Sequence, residues 1–117
     1  MVVTESLRKW PTTVLTDRVC TKPYVIEPEL PGEVPVYLEK GDLLWIPMYS
    51  IHRNLGLYPN PEDFDPERFD EQNKSNFNSY GYLPFGSGPR MCIANRFAKT
   101  EIKLLFLQIL SKFDIVL

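Results

Sequence analysis

Residues 85–94 form a glycine-rich run that ends beside a cysteine, and they read Phe85-Gly86-Ser87-Gly88-Pro89-Arg90-Met91-Cys92-Ile93-Ala94. The run leads into a segment whose apolar spacing predicts a helix over residues 93–112. A thiol at the start of a helix meets unpaired N–H groups and a partial positive charge, which favour the thiolate. We therefore predict that Cys92 is a metal ligand, although a lone cysteine is most often a small buried hydrophobe.

The glycine loop does not match the two common phosphate-binding motifs. A dinucleotide fingerprint needs a third glycine at the position of Met91, and a P-loop needs Gly-Lys-Ser or Gly-Lys-Thr. Gly86 and Gly88 instead permit unusual φ angles and a close approach of the backbone to a flat ligand or to the sulfur. The spacing suits a metal in a ring with anionic substituents, with Cys92 on the metal and Arg90 on a carboxylate.

Two other uses of the cysteine remain as weaker hypotheses. The chain has one histidine, His52, and no Cys-x-x-Cys pair, so it is short of ligands for tetrahedral zinc. We predict that His52 is a structural or surface residue. It is also the one imidazole that could activate Cys92 as a nucleophile, an alternative that spacing leaves open but that does not explain Arg90.

Composition limits the class of protein. The chain has 117 residues and a formal net charge of −2, which indicates one domain at most and gives no reason to expect nucleic acid. Two cysteines are too few for a disulfide framework and fit a reducing compartment. No signal peptide opens the chain, and no apolar run approaches the ~18–20 residues of a membrane span. Both ends are apolar, so we interpret them as cuts through a larger fold.

The pattern along the chain predicts a mainly α fold with small β elements, an α+β class, in one partial domain over residues 1–117. A helix is expected over residues 1–10, ended by Pro11, and a short helix over 48–54. Short strands are expected within 14–47, with a hairpin turn at residues 40–42, and the β-like runs are Val14-Leu15, Val25-Ile26, Val36-Tyr37-Leu38 and Leu43-Leu44-Trp45-Ile46. Residues 58–82 form a predicted meander without regular structure, and residues 84–92 form the cysteine loop. Five aromatic residues argue against disorder in the meander: Phe64, Phe69, Phe77, Tyr80 and Tyr82.

Charged residues at two distant positions suggest a structural cluster. Glu5 and Arg8 are i, i+3 neighbours on one helix face, and Arg68 lies in the meander. Taken alone, the first two would form a surface ion pair worth ~0–1 kcal/mol. A buried Glu–Arg–Arg cluster is the alternative, and it would be strongly damaging to break because an unpaired buried charge would remain.

Three motifs in this order resemble the C-terminal part of a cytochrome P-450: Glu5-x-x-Arg8, Pro66-Glu67-Arg68-Phe69 and Phe85-x-x-Gly88-x-Arg90-x-Cys92. The resemblance covers essentially the whole chain, which would be only the final minor portion of such a protein. The amino-acid sequence is most similar to that of animal microsomal members, especially insect ones. Family members usually carry Gly where this chain has Ala94, a small change that we expect to leave haem binding intact.

The resemblance implies a haem b site. Cys92 would be the proximal iron ligand, whose thiolate favours O–O cleavage. Arg90 and Arg18 would each bind a haem propionate. Phe85 would pack beside the ring, and further haem contacts would come from Gly86, Ile93 and Ala98. Glu5, Arg8 and Arg68 would form a structural triad, and the substrate pocket would be lined by Thr12, Thr13 and Thr16.

The resemblance also implies an activity. The full protein would insert one oxygen atom of dioxygen into an apolar small molecule, with electrons from an NADPH-dependent reductase. It would lie on the cytoplasmic face of the endoplasmic reticulum membrane, attached by an N-terminal anchor that this chain lacks. The acid–alcohol pair of the distal helix is also absent from it. Two alternatives stay open: an inactive haem-site fragment, and a member that rearranges peroxides without a reductase.

Overall fold

The computed structural model describes residues 1–76 and 78–116, and residues 74–76 without their side chains. Phe77, one of the aromatic residues of the predicted meander, lies outside the described residues. The chain divides into two compact units, one formed by Met1–Val14 with Met48–Leu117 and the other by Leu15–Pro47. Helices together with short antiparallel strands make the α+β class. That residues 1–117 form part of a single larger domain stays a prediction.

The smaller unit contains four short strands in two antiparallel pairs. Strand β1 (Thr16–Val19) pairs with β4 (Leu43–Ile46), and β2 (Tyr24–Ile26) pairs with β3 (Val36–Leu38). Two further bonds continue the first ladder, because the Cys20 N–H donates to the Asp42 carbonyl and the Gly41 N–H donates to the Cys20 carbonyl, both at 2.8 Å.

Two predictions for this unit were wrong. Val14-Leu15 lies outside any strand, and the first strand is the more polar Thr16–Val19. Its side chains are exposed or half-buried, so no core selects an apolar alternation there. Residues 40–42 do form a turn, with Gly41 at φ +104°. That turn does not close a hairpin, since β4 pairs with β1 and not with β3.

The larger unit contains three helices joined by irregular segments. Helix α1 spans Val2–Lys9, α2 spans Met48–Ile51 and α3 spans Asn95–Leu110. Helix α1 ends before Trp10 (φ −128°, ψ 70°), because the residue that precedes a proline is disfavoured in the helical conformation. All three helices are shorter than the sequence predicted.

The meander has more local structure than predicted. Short 3₁₀ turns cover Pro66–Phe69, Glu71–Asn76 and Ser79–Gly81. The first of them begins at Asp65, whose carboxylate accepts the Glu67 N–H at 3.1 Å, with Pro66 in the first position. A fourth 3₁₀ turn, Gly88–Arg90, lies in the cysteine loop.

The buried interior of the larger unit is small and mixes apolar with charged groups. Its apolar members are Leu7, Met48, Tyr58 and Leu83, and its fully buried polar members are Glu5, Arg8 and His52. None of the residues of α3 is buried, although that helix is rich in apolar side chains. The interior therefore lies around α1, α2 and the meander, and α3 presents an exposed apolar surface.

Candidate functional site

The cysteine loop is closed by backbone hydrogen bonds. The Cys92 N–H donates to the Phe85 carbonyl at 2.9 Å, and the Met91 N–H donates to the Gly88 carbonyl at 3.0 Å. Gly86 and Gly88 both have φ +72°, a conformation that L side chains rarely adopt. A Cβ at Gly88 would meet nothing within 4 Å, so the glycines are required by backbone conformation and leave open space beside the loop.

Cys92 is a free, exposed thiol. The predicted position of Cys92 at the first turn of a helix beginning at residue 93 was wrong, because α3 begins at Asn95. The Asn95 side chain donates to the Cys92 carbonyl at 2.8 Å and so links the loop to the helix. Ala94 has φ −88° and ψ 10°, so an alanine is accommodated there without left-handed strain.

The other predicted ligand contacts near Cys92 in the sequence lie in the cysteine loop and on α3. Ile93 is 100% exposed, and Phe97 is also exposed. Arg90 is exposed in the loop, and Ala98 is half-buried on α3. The half-buried ring of Phe85 lies below the Lys99 ammonium, whose Nζ is 5.3 Å from the ring centroid. An exposed thiol with an exposed cation two residues before it and exposed apolar side chains soon after it in the sequence is a donor set that fits a flat apolar ring with anionic substituents.

The structure brings Glu5, Arg8 and Arg68 together. Arg8 donates through Nε to Glu5 Oε2 at 2.7 Å and through Nη2 to Glu5 Oε1 at 2.8 Å, and both side chains are fully buried. The Nε of Arg68 lies 3.6 Å from Glu5 Oε1. The exposed ion pair that the sequence left open is therefore excluded. We call these three residues the buried charged cluster.

The two arginines also bond the meander. Arg8 donates to the carbonyls of His52 at 2.8 Å, Pro61 at 2.8 Å and Asp63 at 3.2 Å. Arg68 donates to the carbonyl of Asn60 at 2.8 Å and to that of Pro59. These bonds hold an irregular segment against α1 without a hydrophobic core of its own.

The charges of the cluster stabilise one another. Burial raises the pKa of Glu5, but the hydrogen bonds from Arg8 and the Asp65 N–H and the charges of Arg8 and Arg68 outweigh it and hold that pKa below its usual value. The bond to Glu5 raises the pKa of Arg8 against the effect of burial. Burial raises the pKa of Tyr58, whose ring lies below the Arg8 guanidinium, to about 12. Glu5 and Arg8 therefore both stay ionised in the interior of the larger unit.

His52 is the residue whose importance the sequence did not reveal. It is fully buried and stacks on Tyr82, with ring centroids 5.5 Å apart. Burial lowers its pKa; the bond to the Arg8 carbonyl opposes this, and the Arg8 and Arg53 charges lower the pKa further. A single imidazole between Ile51 and Arg53 offered only a faint signal of burial. The structural role predicted for it is the one the contacts support.

Of the remaining predicted residues, two belong to the larger unit, Thr12 and Thr13, and two to the smaller unit, Thr16 and Arg18. Thr12 and Thr13 are exposed. Arg18 lies on β1, in the smaller unit, where it donates to the Thr16 hydroxyl at 3.2 Å and to the Asp17 carbonyl at 2.6 Å. The assignment of Arg18 to a propionate and of the three threonines to a substrate pocket stays a prediction.

Residues 1–76 and 78–116 contain neither a metal-binding side-chain cluster nor a helix that could span a membrane. No group of three or more His, Cys, Asp or Glu side chains there could hold a metal ion. Within the same ranges no helix has the length and apolar character needed to cross a bilayer.

A single exposed thiol of this kind suits the class of haem-thiolate proteins, in which a porphyrin supplies the other metal ligands. The family model of Cytochrome P450 matches residues 1–117, the whole chain. The chain therefore belongs to the cytochrome P450 family, and the family identified from the three motifs is confirmed.

Curated relatives come from insects and mammals. The chain is 52% identical to cytochrome P450 9e2 of Blattella germanica, over 98% of this chain and 21% of the relative. It is 43% identical to cytochrome P450 9c1 of Drosophila melanogaster, over 97% of this chain and 22% of the relative. It is 42% identical to cytochrome P450 3A12 of Canis lupus familiaris, over 97% and 21%. The chain spans about a fifth of the length of these relatives.

Proposed function

We propose that this chain is the C-terminal, proximal part of a haem-thiolate monooxygenase, in which Cys92 is the axial ligand of the haem iron. The observation that carries the proposal is the free, exposed thiol in a loop whose glycines leave open space beside the backbone. Membership of the cytochrome P450 family supports a haem cofactor, and haem b is the form we propose.

Different residues of the loop would bind different parts of the haem. The Cys92 N–H is already bonded to the Phe85 carbonyl, so the main chain at the ligand is fixed while the sulfur stays accessible. The exposed guanidinium of Arg90 offers a bidentate donor to a propionate. Phe85, Gly86, Ile93 and Ala98 provide the apolar contacts around the ring. Glu5, Arg8 and Arg68 do not act in the reaction and serve as the scaffold of the meander.

Haem held by Cys92 would supply oxygen activation, in which one atom of dioxygen enters the substrate and the other is reduced to water with two external electrons and two protons. We propose an apolar small molecule as substrate, and an NADPH-dependent reductase as the electron source. We also propose the cytoplasmic face of the endoplasmic reticulum membrane as the location, because the names and sources of the relatives are those of animal cytochromes P450.

The test compares the two cysteines of the chain in the complete natural protein that carries it. The reduced carbon-monoxide spectrum of the haem-loaded protein should show thiolate ligation. Cys92→Ser should abolish that signature, and the matched control Cys20→Ser should retain it, because Cys20 is half-buried and bonds the Lys22 carbonyl at 2.9 Å. An unchanged spectrum in Cys92→Ser would overturn the proposal.

The two alternatives are separated by turnover measurements. A reductase-dependent product carrying one atom from labelled dioxygen supports monooxygenation. Conversion of peroxides without a reductase, and without label from dioxygen, would instead assign the chain to the rearranging members of the family. Residues 1–117 expressed alone that form no product, while the complete protein does, would support the alternative of an inactive haem-site fragment.

A further inference from the structure

His52 joins helix α1 to the segment that enters the cysteine loop. Its Nδ1 lies 3.2 Å from the Arg8 carbonyl, and its Nε2 accepts the Leu83 N–H at 2.8 Å. A carbonyl only accepts and a backbone N–H only donates, so the ring is neutral with its proton on Nδ1. The imidazole therefore links two residues, Arg8 and Leu83, that lie 75 positions apart in the sequence.

Backbone bonds continue from His52 towards the sulfur. The Leu83 carbonyl accepts the Gly86 N–H at 3.0 Å, and the Phe85 carbonyl accepts the Cys92 N–H at 2.9 Å. Leu83 is thus bonded on one side to the imidazole and on the other to the loop. The position of the Cys92 main chain depends on Phe85, which lies two residues after the bond to His52.

Neighbouring side chains anchor the same segment at other points. The Tyr58 hydroxyl donates to the Gly81 carbonyl at 2.9 Å, and the Tyr82 hydroxyl donates to the Thr4 carbonyl at 3.0 Å. These bonds hold residues 81 and 82, whereas the His52 bond holds the backbone of Leu83, where the chain turns into the loop. The Leu83 N–H is buried, so loss of its acceptor leaves a donor without water as a substitute.

We propose that His52 is a positioning residue for Cys92, acting through its hydrogen bond to the Leu83 N–H. The imidazole fixes where the cysteine loop begins, and the loop bonds carry that position to the sulfur. The inference rests on the proposed function, since Cys92 is taken as the haem ligand. His52 itself touches neither the loop glycines nor the thiol and is not a catalytic residue.

Two conservative substitutions separate the bonds of the imidazole. In His52→Gln the amide oxygen can take the place of Nε2 and accept the Leu83 N–H. In His52→Asn the shorter amide can replace Nδ1 as donor to the Arg8 carbonyl but does not reach Leu83. The pair therefore keeps a polar, neutral side chain of similar kind and changes which end of the link survives.

The experiment uses the complete haem-loaded protein, with the reduced carbon-monoxide spectrum recorded at equal haem content. We expect His52→Asn to raise the ratio of thiol-type to thiolate-type ligation by about tenfold, because a buried N–H loses its acceptor. His52→Gln should remain near the wild-type ratio. Equal ratios in the two variants, or greater loss in His52→Gln, would overturn the proposal.

Amide hydrogen exchange gives a readout that does not depend on haem ligation. The peptide covering residues 83–92 should exchange faster in His52→Asn than in His52→Gln, while residues 2–9 exchange alike in both. A wild-type protein without a thiolate signature would defeat the proposed function but leave this comparison valid. If His52→Asn does not fold, wild-type exchange decides, and exchange of residues 83–92 as fast as the exposed segment 27–35 would refute the link.

Discussion

The buried charged cluster and the cysteine loop belong to the same unit but differ in the burial and the bonding of their side chains. In the cluster, Glu5 and Arg8 are fully buried, and Arg8 donates to one carboxylate and three carbonyls. In the loop, Arg90 and Cys92 are exposed and only the main chain is bonded. The groups that would meet a ligand are kept accessible, and the groups that determine their position are kept bonded and away from it.

The two regions should also respond differently to substitution. A buried ion pair leaves an uncompensated charge when one partner is removed, and the cost is several kcal/mol. An exposed loop can relax into solvent, so a change there alters local geometry before it alters global stability. Loss of folding is therefore the expected failure of the cluster, and loss of ligand geometry is the expected failure of the loop.

The largest effect is expected from Arg8→Ala in the complete protein. The substitution leaves Glu5 buried without its bidentate partner and frees the carbonyls of His52, Pro61 and Asp63. We expect a loss of about 3–5 kcal/mol in the free energy of unfolding, a large part of the usual total. Urea unfolding followed by circular dichroism, with haem content measured in parallel, tests this. A variant that loads haem normally would contradict the scaffold role.

An intermediate effect is expected from Gly88→Ala in the cysteine loop. Alanine at φ +72° costs about 1–3 kcal/mol in backbone strain, and no atom within 4 Å clashes with the new Cβ. The loop is exposed and can relax part of that strain, so we expect the thiolate signature of the reduced carbon-monoxide spectrum to weaken and the urea midpoint to fall less than in Arg8→Ala.

Gly41→Ala is the matched control for that substitution. Gly41 has φ +104° and open space around its Cβ position, but it lies in the turn before β4 of the smaller unit. The backbone strain is comparable, and the carbon-monoxide spectrum should be unchanged. Equal spectral loss in both variants would show that the effect is not specific to the cysteine loop.

The cluster was more accessible to sequence reasoning than the link to the loop. Glu5 and Arg8 are three residues apart on one helix, which places them on the same face whatever the rest of the fold does. Arg68 was assigned to the cluster through its motif, because the helical spacing that relates Glu5 to Arg8 says nothing about a residue 63 positions further along the chain. The bond between His52 and Leu83 spans 31 residues and depends on how α2 packs, which periodicity does not report.

The strands show the same limit. The runs that contain β2, β3 and β4 are apolar and were found from composition, but β1 is Thr-Asp-Arg-Val and was missed. The pairing of β1 with β4 is a non-local choice, and the turn at Gly41 gave a local hairpin signal that the ladder overrides. Sequence patterns therefore located single elements better than they located the partners of those elements.

The smallest effect is expected from Glu62→Ala, which removes an exposed ion pair close to the cluster. The Nε of Arg53 lies 3.1 Å from Glu62 Oε1, but the Glu62 side chain is 71% exposed. Arg53 also donates to the Lys9 carbonyl at 2.7 Å and stacks on the ring of Tyr49 at 3.8 Å, so it keeps its position without the carboxylate.

We therefore expect Glu62→Ala to change the free energy of unfolding by about 0–1 kcal/mol, with less effect at high salt. Like Arg8→Ala, it deletes one partner of a Glu–Arg pair that contacts α1 or its end, so the two variants differ in burial and in the three carbonyl bonds that Arg8 also makes. Urea unfolding of both at low and high salt measures that difference. If Glu62→Ala cost as much as Arg8→Ala, proximity of charge rather than burial would account for the stability of the cluster, and the contrast with the exposed loop would lose its basis.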